Sequence, residues 1–572
     1  MFLSDKQQVV NFTLLVSVFL IAPFYFHFNI GGLGFDLPYN ASEWITALLF
    51  SSIVIFSQVK EKLIIYNRSF LYCLVFPTVV IFAGITSDIP QHIDWLFRQL
   101  YILGGIVFLF ALIQAHLSVK QIDKLLYCIV IACLLQSIVA ISQLHELSFL
   151  EDIIPYSPNR IPFGMLQQVN VLASYLVTGL MIILFLISRP PFYSVHFFTK
   201  TFLVITFGLA VYIVFSTGSR VGILSFFIAT VLMVVSRRKQ LFRHGHILLL
   251  LVVITFTAIL SAQTGLSNAL DKTEKMTSAE YGSARQTFYA VAKELISEKP
   301  LFGFGIGSFQ RVWVDQVAKF AVNHPNAQIS QGTVSHPHNE VLFWMIEGGL
   351  VSLFALLIVF IAICHALYHC GFSRGGAYAA LLLPITLHTQ VELPFYISSV
   401  HWFLWLYLVF MVFRHKLIVS HFSISQMAYY TAQTAIFLVG LAGGAIIVHA
   451  SMAQLEIAKY SSGKGGEGDL TIGLNDLYFN SYAEKLMMQT LLYSSLEQKD
   501  KTHMPTFIEW AEDRIGYKPE QGMFIMLSDA YGLNEDKINQ CRISKRGLAT
   551  YTKNQRLQTT IDSCNIPIDS SF

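Results

Sequence analysis

Apolar runs of spanning length recur along most of the chain, near 9–28, 41–58, 69–87, 98–116, 124–144, 164–188, 200–216, 221–236, 246–262, 338–364, 376–392, 396–413 and 428–449. A helix needs about 20 residues to cross a bilayer, and fewer suffice beside a thinned or buried edge. The pattern predicts an all-α fold, a polytopic transmembrane helical bundle of about 12–13 spans. One polar interruption breaks it, between roughly Gln263 and Ser335, and the chain re-enters an apolar run through His336-Pro337-His338-Asn339-Glu340. After about residue 450 the chain stays polar. Four blocks follow: N-terminal transmembrane helices over 1–262, a large loop over 263–337, C-terminal transmembrane helices over 338–449 and a helical domain over 450–572.

Within the loop, Phe288, Val291, Ala292, Leu295 and Ile296 fall at helical spacing, which predicts an amphipathic helix with Arg285 in its first turn. Glycines then cluster in Leu301-Phe302-Gly303-Phe304-Gly305-Ile306-Gly307-Ser308. No strand precedes them, so they do not form a dinucleotide fingerprint, and they read as a bend that lets backbone approach backbone. In the tail, Phe507, Trp510, Ala511 and Ile515 fit one helix face, and Met523, Met526, Leu527 and Ala530 fit another. Two antiparallel helices joined at Gly516–Pro519 would resemble a tetratricopeptide-like hairpin.

Composition sharpens the class. The chain is 54% hydrophobic and only 13% charged, about half the charge of a soluble protein, so it is read as an integral membrane protein. A net charge of +3 gives no reason to expect nucleic acid as a partner. Lys6 precedes the first apolar run, which is long and lacks a small-residue cleavage site, so it reads as an uncleaved span. With the N-terminus in the cytoplasm, one side collects Lys60, Lys62, Arg68, Lys120, Lys124, Arg189, Lys200, Arg237, Arg238, Lys239, Arg243, Arg374, Arg414 and Lys416, whereas the short loops opposite carry Arg98, Arg160 and Arg220. This positive-inside pattern puts the large loop and the tail on the outer side, the periplasm for a bacterial inner membrane. Cys73, Cys128, Cys133, Cys364 and Cys370 lie in or beside apolar runs and read as packing residues. Cys541 and Cys564 lie in the polar tail, where an oxidising compartment would let them form a disulfide.

The arginines on the disfavoured side need a reason to be there. For Arg98 an interfacial anchor or a carbonyl contact weighs evenly with a functional role. Arg220, in the tight turn Ser216-Thr217-Gly218-Ser219-Arg220 between two spans, lies at membrane depth, where charge is costly and usually functional.

Three stretches resemble the bacterial O-antigen ligase and protein O-oligosaccharyltransferase superfamily: Gly218-Ser219-Arg220-Val221-Gly222; Arg285 with Lys299-Pro300-Leu301-Phe302-Gly303-Phe304-Gly305; and His336-Pro337-His338-Asn339-Glu340 running on to Glu347-Gly348-Gly349. In that family a histidine is followed by a glycine eleven positions on, as His338 is by Gly349. A fourth stretch, Arg160-Ile161-Pro162-Phe163-Gly164 with Gln168, Asn170 and Ala173, resembles the signature of the protein-glycosylating, PglL-type branch. Ile161 interrupts the usual Arg-Pro pair, and Val169 replaces a proline. The polar tail also resembles that branch.

The resemblance implies a GT-C-like architecture and transfer of a glycan from an undecaprenyl diphosphate carrier, with membrane lipid around the site. The acceptor would be Ser or Thr of periplasmic proteins such as pilins. The large tail, extra outer-side surface beyond the core, favours a protein acceptor. Lipid A–core as acceptor (an O-antigen ligase) and glycan extension (an O-antigen polymerase) are the alternatives. Charge grows on the diphosphate as it leaves, and arginine forks bind phosphate oxygens bidentately, which assigns catalytic roles to Arg220 and Arg285. The attacking hydroxyl needs a base, and His338 supplies one. Arg160, Gln168, Asn170, Asn339 and Glu347 complete the expected substrate-binding set. Asn339 and Glu340 are placed to orient His338, His336 reads as structural, and Glu347 either pairs with an arginine or locks helices together. No metal-ligand pattern is evident, so neither metal nor cofactor is expected. Single-step displacement would invert the anomeric carbon. A secondary transporter is the remote alternative; it would favour paired inverted repeats and charges at the bilayer midplane.

Overall fold

A computed structural model describes residues 5–86, 92–147, 153–263, 265, 267, 284–330 and 332–564. The expected start of the large loop therefore lies partly outside the described residues. Each of the thirteen apolar runs contains a helix. Among the described residues, ten helical stretches are long and apolar enough to cross a membrane. The shortfall from thirteen has a simple origin. The runs at 221–236 and 246–262 form one stretch, Arg220–Ser261, in which the helices Arg220–Leu241 and Gly245–Ser261 meet at the short turn Phe242–His244. The helices Phe372–His388 and Ser399–Phe413 are shorter, at 17 and 15 residues. The architecture is all-α, a polytopic bundle, with one two-stranded antiparallel ribbon that pairs Leu63–Tyr66 with Ile418–His421.

The chain gathers into two compact units. The first comprises Met1–Pro77, Leu100–Lys272 and Leu356–Ala458, and the second Thr78–Gln99, Thr273–Ala355 and Lys459–Phe572.

In the first unit the helix Val169–Ile187 is the hub: every residue from Val171 to Ile187 is buried. A helix that is apolar all round belongs inside a bundle, and this one packs against Val119–Leu144, Phe197–Ser216, Arg220–Leu241 and Phe372–His388. Small residues set the spacing. A Cβ on Gly179 would come within 2.6 Å of Cys133 Sγ, and one on Gly222 within 2.6 Å of Ala173 Cβ. Without a hydrophobic gradient between lipid and protein, such close approach is what holds spanning helices together.

In the second unit the helix Ala284–Glu298 forms where the spacing predicted it, burying Phe288, Val291, Ala292 and Leu295. Phe309–Asn323 follows and buries Phe309, Val312, Trp313, Val317 and Phe320. The tail holds more than one hairpin: Asn480–Gln498, Met504–Tyr517, Gln521–Leu533, Lys537–Thr550 and Gln555–Asp562. Their core is built from Leu492, Phe507, Ala511, Ile515, Met523, Phe524, Leu527, Ala530 and Ile543. Thr550 Oγ1 donates to Val314 O at 3.2 Å, tying the tail to Phe309–Asn323.

Cys541 and Cys564 form a disulfide, with Cα atoms 6.2 Å apart and the two cysteines 23 positions apart in sequence. Closing a loop of that size removes denatured-state entropy worth about 3 kcal/mol. We expect Cys564→Ser to raise hydrogen exchange across Lys537–Asp562 while leaving the spanning helices protected. Unchanged exchange in that segment would show that the bond contributes nothing to its stability.

Candidate functional site

In the first unit, the stretch around Phe163-Gly164 is irregular and depends on two buried glutamines. Gln143 Oε1 accepts from the backbone N–H of Phe163 at 3.1 Å and of Gly164 at 2.7 Å, while its Nε2 donates to Pro155 O and Gly164 O, both at 3.1 Å. Gln136 Oε1 accepts from Met165 N–H at 2.9 Å. Gly164 has φ +64°, and a Cβ there would meet Gln136 Oε1 at 2.6 Å. The segment is thereby fixed at the start of Val169–Ile187, which Gln168 caps by accepting from Val171 N–H at 2.7 Å.

Asn170 joins this segment to the arginine turn, since Ser219 Oγ donates to its Oδ1 at 2.8 Å. Ser219 in turn caps Arg220–Leu241 by accepting from Gly222 N–H at 3.2 Å, with Gly218 at φ +61° before it. Arg220 thus stands half-buried at the first position of its helix. Arg160 is placed differently. It forms an exposed ion pair with Glu146 at 2.8 Å, and that hydrogen bond holds the Glu146 carboxyl below its usual range. A buried cluster not anticipated from sequence lies along the hub helix: Ser174 Oγ sits 2.8 Å from His388 Nδ1 and 3.1 Å from His401 Nε2.

In the second unit the glycine-rich loop repairs a broken helix. Gly349 adopts φ +64°, ψ −165° inside Glu340–His369, a conformation open essentially to glycine alone. An unbroken helix would send the N–H groups of Leu350 and Val351 to Ile346 O and Glu347 O. Here those carbonyls accept instead from Phe304 and Gly305, each at 2.9 Å. Leu350 and Val351 donate to Pro300 O and Leu301 O, at 2.8 and 3.2 Å. The close backbone approach expected of the glycines is this exchange of partners.

Glu347 fastens the same junction. Its Oε1 accepts from the backbone N–H groups of Gly307 and Phe309, both at 3.1 Å, and its other oxygen pairs with Arg98. The Arg98 guanidinium lies 4.5 Å over the Phe343 ring, one turn earlier on the helix. A buried carboxylate with two amide donors and a guanidinium is fully satisfied, whereas removing one partner would leave a charge stranded. Of the two roles open for Glu347, the structure gives it the arginine partner. For Arg98 it shows an ion pair with Glu347.

His338 lies two residues before this helix, with φ +51° in the left-handed region. Strain of that kind persists only where the surroundings over-determine it. Here the half-buried ring stacks on Phe288, with centroids 5.1 Å apart and planes at 22°, and Phe288 meets Trp313 edge-on at 5.2 Å. Arg285 is three residues before Phe288 on the same helix and so shares its face. Arg285 thus stands one helical turn before the ring on which His338 stacks. His336, expected to be only structural, flanks the His338 ring at 4.7 Å and has Ser335 Oγ 2.9 Å from its Nδ1. Asn339 caps the helix by accepting from Leu342 N–H at 2.9 Å, and Glu340 Oε1 accepts from Trp344 Nε1 at 3.4 Å.

Residues 205–357 match the O-antigen ligase family, a range that holds Arg220, Arg285, His338 and Glu347. That match supports the resemblance to the O-antigen ligase superfamily. Residues 377–563 match a second family, described as the C-terminal part of a virulence factor membrane-bound polymerase. No curated protein matches the chain. The two matches, with the apolar helices, support a multi-pass membrane enzyme of the ligase or polymerase type, and they imply glycosyl transfer from a lipid-linked oligosaccharide donor to an acceptor.

Proposed function

We propose that the protein is a protein O-oligosaccharyltransferase. It moves a glycan from an undecaprenyl diphosphate carrier to Ser or Thr hydroxyls of exported proteins such as pilins, on the periplasmic face of the bacterial inner membrane. The observation that carries the chemistry is the platform on which Phe288 holds His338 beside the face that bears Arg285. In this reading His338 takes the proton from the acceptor hydroxyl as its oxygen attacks the anomeric carbon. The glycosidic C–O bond to the diphosphate breaks with inversion, and the leaving diphosphate carries the electron pair. Arg285 and Arg220 take up its growing charge; guanidinium suits that task because it stays ionised when partly desolvated and grips two oxygens at once. His336 is positioned to fix the His338 ring rather than to react. Asn339 acts through the helix start, whereas Gln168 and Asn170 act through the turn that presents Arg220. Arg160, exposed and paired with Glu146, keeps a substrate role only if the diphosphate or glycan displaces that carboxylate.

Support for a protein acceptor comes from the five tail helices, which add a folded, polar surface to the unit holding His338. The polymerase description of the family matched by 377–563 favours a second reading, in which another lipid-linked glycan is the acceptor. Purified protein in nanodiscs, given lipid-linked oligosaccharide with a pilin-like protein, lipid A–core or excess donor, separates the readings. Glycan on Ser or Thr of the protein is expected. Core-linked glycan or chain extension as the sole product would replace this reading with the ligase or the polymerase.

A further inference from the structure

A cavity of about 140 Å3 opens in the second unit, walled by Asp94, Phe309, Gln310, Ser335, Tyr517 and Lys518. It draws on four separate stretches of chain; Arg98, Gly307 and Phe309 on its wall belong to the Glu347 junction, whereas Asp94, Gln310, Ser335, Tyr517 and Lys518 have no role in it. Three features decide what it can hold. Its volume has room for on the order of ten waters, comparable with one hydrated pyranose ring. Its charges cancel: Lys518 Nζ lies 3.3 Å from Asp94 Oδ2, and Arg98 on the same wall is paired with Glu347. A phosphate site needs surplus cation, and this wall offers balanced donors and acceptors instead. Finally, the side-chain nitrogen of Gln310 is buried and makes no hydrogen bond to any described residue. A buried amide donor left in that state costs stability unless something else fills its valence.

We propose that this cavity is a monosaccharide subsite: it receives one neutral, hydroxyl-rich pyranose, which accepts from Gln310 Nε2, hydrogen-bonds with Lys518, Asp94 and Ser335, and lies along the Phe309 and Tyr517 rings. Mixed donors and acceptors beside aromatic rings match a sugar, which presents hydroxyls around its rim and C–H groups on its faces. Ser335 lies three residues before His338 in sequence, so the same segment that presents the base also lines the subsite. The ring belongs either to the donor glycan or to a glycan already on the acceptor. The inference rests on the transferase reading for its biological meaning, although binding itself does not require turnover.

Saturation-transfer NMR on the full-length protein in nanodiscs, with free hexoses and N-acetylhexosamines as probes and inorganic phosphate as competitor, tests it directly. Saturation is expected to reach a monosaccharide, to survive an excess of phosphate, to be lost in both Gln310→Leu and Lys518→Ala, and to persist in His338→Ala. In transfer kinetics each subsite variant is expected to raise one KM about tenfold with kcat within about twofold. A shift in donor KM places the ring on the donor, and a shift in acceptor KM places it on the acceptor. Phosphate binding in place of sugar would overturn the proposal. So would unchanged binding and unchanged KM values in both variants, provided they melt like the parent. Failure of the parent to transfer glycan to any acceptor, with sugar binding intact, would sink the transferase reading and leave the subsite standing.

Discussion

His338→Ala and Arg285→Ala are each expected to abolish glycan transfer while the purified proteins keep the parent's melting temperature. Loss of a positioned general base typically costs about 10²- to 10⁴-fold in rate, and loss of one donor aimed at a developing charge about 10²- to 10³-fold. Neither side chain carries the packing of its unit. His338 is half-buried in a loop, and Arg285 lies in the first turn of Ala284–Glu298, whose core face is Phe288, Val291, Ala292 and Leu295. Conservative changes sharpen the test. Arg285→Lys keeps the charge but loses the fork, so partial activity is expected. Phe288→Leu keeps apolar burial but removes the stacked ring, so kcat should fall with little change in donor KM. Single-turnover transfer with purified lipid-linked donor measures each. Normal turnover by His338→Ala would remove the base from the mechanism, and normal turnover by Arg285→Ala would remove that arginine from the diphosphate.

Much of this fold was open to reading because the membrane imposes a length on each helix, and length survives in one-dimensional pattern. Every apolar run contains a helix, and the amphipathic spacing of Phe288 to Ile296 located its helix to within the first turn. What stayed hidden is pairing across long sequence separations. Nothing local to Arg98 says that its partner is Glu347, 249 residues away. The glycines of 303–307 announced close approach, but not that their neighbours would take over hydrogen bonds from a kinked helix. A signal for Gln136 and Gln143 did exist: polar amides seven residues apart on one apolar helix are costly in a bilayer unless they have fixed partners. The tail gave up one hairpin and hid three further helices, because short polar helices that pack on one another leave only weak periodicity.

Gly349→Ala is expected to destroy the junction that presents the site, with no detectable transfer and a protein that melts several degrees lower. A Cβ at φ +64°, ψ −165° is strained in any surroundings, and here it would collide with the backbone of Leu301 and Phe302. Relief requires the glycine-rich loop to lift away, which forfeits the four backbone hydrogen bonds that Phe304, Gly305, Leu350 and Val351 donate across the kink. The Glu347 carboxylate then loses its Gly307 and Phe309 donors while remaining out of water with Arg98. The combined cost is of the order of 3–5 kcal/mol, the range seen when a buried charge is left short of partners. Gly303→Ala strikes the same contact from the other side, since its Cβ would stand 2.6 Å from Ile346 O at φ +66°. Gly444→Ala, inside the helix Gln426–Ser461, is the control: among the described residues nothing lies within 4 Å of its Cβ, and alanine is the better helix former, so stability should hold or rise by up to about 1 kcal/mol. Thermal unfolding in detergent and transfer activity, read together on all three variants, give the answer. If Gly349→Ala melts and transfers like Gly444→Ala, the loop is not locked to the kink, and another feature must hold His338 on its aromatic platform.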